Sequence, residues 1–101
     1  MTPLPLTCEL SSAELQQRKT GLLVTVRGHA TRVTPRPDGM DLEFPDSPGI
    51  LADILELVRL EAACCRFLCF ELQTGPASAP IRLRLKGPEG TVEFLKSLGW
   101  A

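Results

Sequence analysis

Four residues carry a thiol, and three of them, Cys64, Cys65 and Cys69, crowd into one short stretch. The fourth, Cys8, lies far away in sequence. Soft thiolates select soft ions such as Cu(I), Zn(II) or Hg(II). A two- or three-sulfur site for a thiophilic ion needs no histidine, and this chain has one, His29. Zinc fits the spacing less well, because structural zinc sites separate paired ligands by about two to four residues and Cys64 and Cys65 are adjacent. Neighbouring residues on a helix also point about 100° apart, so both sulfurs face one ion only where the helix frays.

Packing is the competing explanation of the same residues. Free cysteine is among the most buried residue types and behaves as a small hydrophobe. Cys65 continues an apolar helical stripe, and Cys69 stands beside Phe67, Leu68 and Phe70 in a run that reads as a core strand. A redox role would want positive charge beside a thiolate. Arg59 and Arg66 are near in sequence, but no C-x-x-C motif is present. Glu61, three residues before Cys64, is placed to bond the thiol or to offer an oxygen ligand; a solvated helix position is the ordinary expectation for it. His29 reads as a capping or surface residue. Gly87-Pro88-Glu89-Gly90 precedes a helix start, where phosphate can bind, but it lacks the lysine and glycine spacing of a phosphate loop and reads as a connector. There is no Ser/His/Asp set and no recognisable pair of acid/base carboxylates, so enzyme is the least favoured class.

The elements that must position these residues follow from periodicity. Residues 1–7 read as an extended, proline-restrained lead-in. Ser11-Ser12-Ala13-Glu14 fits a capping box, predicting a helix from about Ser12 to Arg27. Leu15, Leu22, Leu23 and Val26 face inward on it, and Gln16, Gln17, Arg18 and Lys19 are wet. Ala30 to Arg36 and Met40 to Phe44 predict a hairpin, with Asp38-Gly39 supplying the positive φ of a tight turn. Pro35 and Pro37 push the first strand to an edge. Asp46-Ser47-Pro48 is a second helix start. Leu51, Ile54, Leu55, Val58, Ala62 and Cys65 form its apolar stripe, and it runs to about Cys64. Phe67 to Leu72 predicts a strand, and residues 74–79 a loop. Ile81, Leu83 and Leu85 alternate with Arg82, Arg84 and Lys86 in the clearest half-buried strand. A last helix turns Val92, Leu95 and Leu98 inward and stops at Gly99. The order is α-β-β-α-β-β-α. It predicts an α+β fold with about four mainly antiparallel strands and helices on one face. Whether the second and third strands are neighbours stays open.

Length and composition bound the function. The chain has 101 residues, 44% hydrophobic and 23% charged, an ordinary composition for one globular domain. A chain this size buries about 65% of its unfolded surface, enough to fold without a metal staple. Eleven Lys and Arg against twelve Asp and Glu give a net charge of -1, so neither nucleic acid nor an anionic membrane is an expected partner. Apolar runs are too short to span a bilayer, and the N-terminus lacks the basic start of a secretory signal. The expected compartment is the cytoplasm, where thiols stay reduced. Exposed strand edges allow a homodimer.

The segment Glu61-Ala62-Ala63-Cys64-Cys65-Arg66-Phe67-Leu68-Cys69-Phe70-Glu71-Leu72 resembles the E-x-x-C-C-x-F-x-x-F-x-L motif of a family of small uncharacterised bacterial proteins. The likeness continues through Pro80-Ile81-Arg82-Leu83-Arg84-Leu85, Gly87-Pro88-Glu89-Gly90 and Phe94-Leu95. Upstream it includes Cys8-Glu9-Leu10, Glu14 and Arg18. Family members commonly carry proline after the cysteine pair, where this chain has Arg66. The resemblance implies no established activity. It points to Cys8, Cys64 and Cys65 as a set, with Cys69 as an extra. The reading that follows is a thiophilic metal or metalloid ion held by Cys8, Cys64 and Cys65, with Glu61 supporting them from behind. Its rival is an interaction or dimerisation module whose cysteines only pack.

Overall fold

The structure, a computed structural model, describes residues 12–101. Cys8 and the lead-in of residues 1–7 lie outside the described residues. Three helices and four strands follow in the order α1 Ala13–His29, β1 Arg32–Arg36, β2 Gly39–Phe44, α2 Ile50–Cys64, β3 Cys69–Gln73, β4 Ile81–Lys86 and α3 Thr91–Leu98. This is the expected α+β order. All strand pairings are antiparallel, and the spatial order is β1-β2-β4-β3. β2 and β3 are therefore not neighbours, because β4 inserts between them. None of the described helices is long and apolar enough to cross a membrane.

Strand alternation sorts the sheet into two faces. Met40, Leu42, Phe44, Ile81, Leu83 and Leu85 are buried under the helices. The opposite face carries a lattice of ion pairs. Asp41 accepts from Arg36 and Arg84, both through Nε at 2.8 Å; Arg82 reaches Glu43 at 3.1 Å and Lys86 reaches Glu71 at 2.6 Å. The Arg84 hydrogen bond, helped by that of Arg36, holds the Asp41 carboxyl below its usual range. Asp41 with Arg84 and Glu43 with Arg82 are directly paired across β2 and β4, and such opposite charges favour this register.

The helices differ from expectation in detail. The α1 cap is Ser12, whose hydroxyl accepts from Leu15 N at 3.0 Å. Leu23 and Val26 are buried as predicted, but Leu15 is 40% exposed and Lys19, predicted wet, is buried. Asp46-Ser47-Pro48 does not cap α2. The helix starts after Gly49, which sits in the left-handed region at φ 84° and offers no side-chain cap. Its buried stripe is Ile50, Ile54, Leu57, Glu61 and Cys64, one step round from the predicted one, and Leu51 and Leu55 are exposed. The stripe spacing of four and three residues was correctly identified, but its phase depends on the helix start. In α3, Leu95 is buried and Gly99, at φ 100°, closes the helix by donating to Leu95 O and Lys96 O. Trp100 then folds back into the core.

Pro35 lies on edge strand β1, as its missing N–H requires. The hairpin turn does not use a positive φ at Gly39. Gly39 is required for another reason: a Cβ there would stand 1.8 Å from Leu85 O in the neighbouring strand. Both groups are backbone and neither can step aside. Gly39→Ala is therefore expected to destabilise the fold by about 3 kcal/mol or more, read as a lowered urea midpoint. An unchanged midpoint would contradict the close packing of β2 on β4.

Candidate metal centre

α2 ends between the two cysteines. Cys64 is its last helical residue, and Cys65 leaves the helix at φ -105° and ψ 75° while its N–H still donates to Glu61 O at 2.6 Å. The chain then turns, with Leu68 N donating to Cys65 O at 3.0 Å, and Phe67 and Leu68 plug into the core. Phe67 packs edge-on against Phe94 of α3 with centroids 5.1 Å apart. This change of direction brings the sulfurs together despite the helical divergence of adjacent residues. Cys64 Sγ and Cys65 Sγ are 3.4 Å apart; Cys64 is disulfide-bonded, and Cys65 is a free thiol.

Glu61 completes the group. It is one turn before Cys65 and fully buried, where a solvated position was expected. Its Oε2 accepts from Cys65 Sγ at 3.3 Å. Ligand atoms of Glu61, Cys64 and Cys65 all lie within 4.8 Å of one another. The other carboxylate oxygen, Oε1, faces Lys19 Nζ of α1 at 3.3 Å, an ion-pair distance without hydrogen-bond alignment. Lys19 and Glu61 are 3% and 0% exposed, so the ion pair joins α1 to α2 away from solvent. At the rim of the same interface Arg18 pairs with Glu56.

Burial pushes the Cys65 thiol up to about 12, and the nearby Glu61 charge and the hydrogen bond to it act in the same direction. Cys65 is thus a protonated thiol at neutral pH. Cys65 is therefore the opposite of an activated nucleophile, which needs a lowered thiol pKa.

Of the residues singled out in the sequence, the structure brings Glu61, Cys64 and Cys65 together. Cys8 falls outside the described residues. Cys69 does not join them, and it is exposed rather than part of the core, because β3 is an edge strand. His29 ends α1 in solvent, its Nδ1 2.7 Å from Thr25 O. The residue the sequence reading missed is Lys19. Its signal was present: positions 19, 23 and 26 share one helical face, and Lys19 occupies the first of them. An open groove of about 580 Å³ lies on the outer sheet face, among Arg32, Arg36, Asp41, Glu43, Arg82 and Arg84. It contains none of the Glu61–Cys64–Cys65 group, and its acids are already paired, Asp41 and Glu43 with arginines and Glu71 with Lys86.

No protein-family model, curated protein or solved structure matches this chain.

Two outcomes follow from the buried group. Lys19→Met leaves the Glu61 charge buried without compensation and should cost about 3–5 kcal/mol, whereas Lys19→Met with Glu61→Gln should restore most of that loss. Chemical unfolding of the two variants measures both. The second concerns pH. The Cys65 thiol titrates higher folded than unfolded, so its contribution is complete below the ordinary thiol value of 9.0 and is lost as pH rises toward about 12. Wild-type melting temperature should fall over that range, and Cys65→Ala should flatten the fall.

Proposed function

We propose that the reduced protein binds one soft metal or metalloid ion through the sulfurs of Cys64 and Cys65, with Cys8 as a third ligand. The observation that carries this reading is the 3.4 Å approach of two adjacent sulfurs at a helix end, beside a buried carboxylate. Packing alone does not require a glutamate in that position. The family motif that the sequence resembles, E-x-x-C-C, contains the same three residues. In this reading the chain is a small bacterial, cytosolic binding protein. It has no affinity for nucleic acid, and its exposed strand edges permit a homodimer.

The second reading is an interaction module whose cysteines are structural. The closed burial of both sulfurs, 3% and 0% exposed, favours it. Titration of fully reduced protein with Hg(II) separates the two. The binding reading expects one equivalent bound, with a sulfur-to-metal charge-transfer band in the ultraviolet. Cys64→Ser and Cys65→Ser should each abolish the band, and Cys8→Ser should weaken it. Cys69→Ser should leave it intact. Equal uptake by wild type and the Cys64→Ser, Cys65→Ser double variant would leave the structural reading standing.

A further inference from the structure

Cys64 is disulfide-bonded, and a further sulfur, the free thiol of Cys65, stands 3.4 Å from Cys64 Sγ. Thiol–disulfide exchange starts from such an arrangement: a sulfur outside a disulfide attacks one inside it, and the other disulfide sulfur leaves. Reacting atoms about 3–3.5 Å apart are within near-attack range, and a group held there acts at an effective concentration that no dissolved thiol reaches. Access favours the same nucleophile. Cys64 and Cys65 are 3% and 0% exposed, so a thiol from solution must open the fold before it meets the Cys64 bond. Cys69, the other free cysteine among the described residues, is exposed and lies outside the group. Cys65 is already in place.

The backbone admits the product. A bond between adjacent cysteines closes a small ring through the peptide that joins them, which side chains about 100° apart on a helix do not allow. α2 ends at Cys64, and Cys65 stands outside helical geometry at φ -105° and ψ 75°. The attacking thiol also has an acceptor for its proton. Cys65 Sγ donates to Glu61 Oε2 at 3.3 Å, and that carboxylate is fully buried.

We infer that the Cys65 sulfur takes over the bond to Cys64, forming a vicinal Cys64–Cys65 disulfide and releasing the sulfur to which Cys64 is now bonded. In the step, Cys65 gives its proton to Glu61 and its sulfur bonds to Cys64 Sγ. The bond between Cys64 Sγ and its present partner breaks. The leaving sulfur takes up the proton and becomes a thiol, and Glu61 returns to carboxylate. One disulfide and one thiol stand on each side, so no oxidant or reductant takes part. Burial keeps Cys65 protonated at neutral pH, so the exchange is slow, about minutes to hours, and the present bond is the resting one. The step belongs to the oxidised protein and stands apart from metal binding, which belongs to the reduced one.

Tryptic mapping without reduction reads the step. Trypsin cuts after Arg59 and Arg66, so residues 60–66 carry both Cys64 and Cys65, and Cys69 falls in residues 67–82. Air-oxidised wild-type protein is held in N-ethylmaleimide, which alkylates the released thiol as it appears and draws the exchange forward. Samples are then unfolded in the same reagent and digested. At the start, 60–66 should be joined to another peptide and labelled on Cys65. With time the joined form should be lost. Free 60–66 should replace it one for one, unlabelled and lighter than the dithiol by its two thiol hydrogens. In Cys65→Ser the joined form should persist; the wild-type map decides the question even where that variant does not fold. Any map without the unlabelled ring form overturns the inference, whether 60–66 stays joined and labelled on Cys65, becomes joined to 67–82, or is labelled on both cysteines.

Discussion

The contact on which the rest of the site depends is the ion pair between Lys19 and Glu61. It joins two helices that are far apart in sequence, and both partners are almost wholly withdrawn from water. A buried pair of this kind gains little net stability, because desolvation offsets the attraction. Its contribution is register. The apolar face of α1 is thin, with Leu23 and Val26 as its buried hydrophobic residues, and so few contacts leave rotation and sliding weakly fixed. A charge that must meet its opposite fixes both. The same contact turns the Glu61 carboxylate so that one oxygen faces the ammonium and the other faces sulfur.

The second constraint is where α2 stops. Had the helix continued through Cys65, the two sulfurs would have diverged by about 100°. By leaving helical geometry at Cys65 the chain brings the sulfurs onto one side. The aromatic and aliphatic plug of Phe67 and Leu68 holds the turn in place from the core, and Phe94 of α3 braces Phe67 from beyond it. The arrangement of the two sulfurs is thus set by hydrophobic packing a few residues downstream.

Much of this was legible in the sequence. The element order, the half-buried alternation of Ile81, Leu83 and Leu85 against arginine and lysine, the edge position forced by Pro35 and the glycine stop of α3 all follow from local rules. The insertion of β4 between β2 and β3 does not, because strand neighbours are chosen by tertiary packing. The phase of the α2 stripe was misread by one step, since the structure starts the helix on a left-handed Gly49 rather than on the Asp46-Ser47 signal. That single step hides the meaning of Glu61. On the true stripe, Ile50, Ile54, Leu57, Glu61 and Cys64, an acid stands where a hydrophobe belongs, and Lys19 repeats the anomaly with opposite sign on α1. Two misplaced opposite charges on two apolar stripes are a signal for a buried pair. Cys69 was misjudged because a β-rich run looks the same on an edge strand as in the centre of a sheet.

Trp100 has a consequence of a different kind. It is the chain's one tryptophan, it is completely buried, and its indole nitrogen meets no hydrogen-bond partner among the described residues. An indole in such dry surroundings emits at short wavelength and shifts to the red on meeting water. It follows the α3 cap, where Gly99 reverses the chain and Trp100 N donates to Leu95 O. The protein therefore carries an intrinsic optical reporter at the far end of its core, free of background from any second indole. With no tyrosine in the chain, excitation in the near ultraviolet reads the docking of this one helix end.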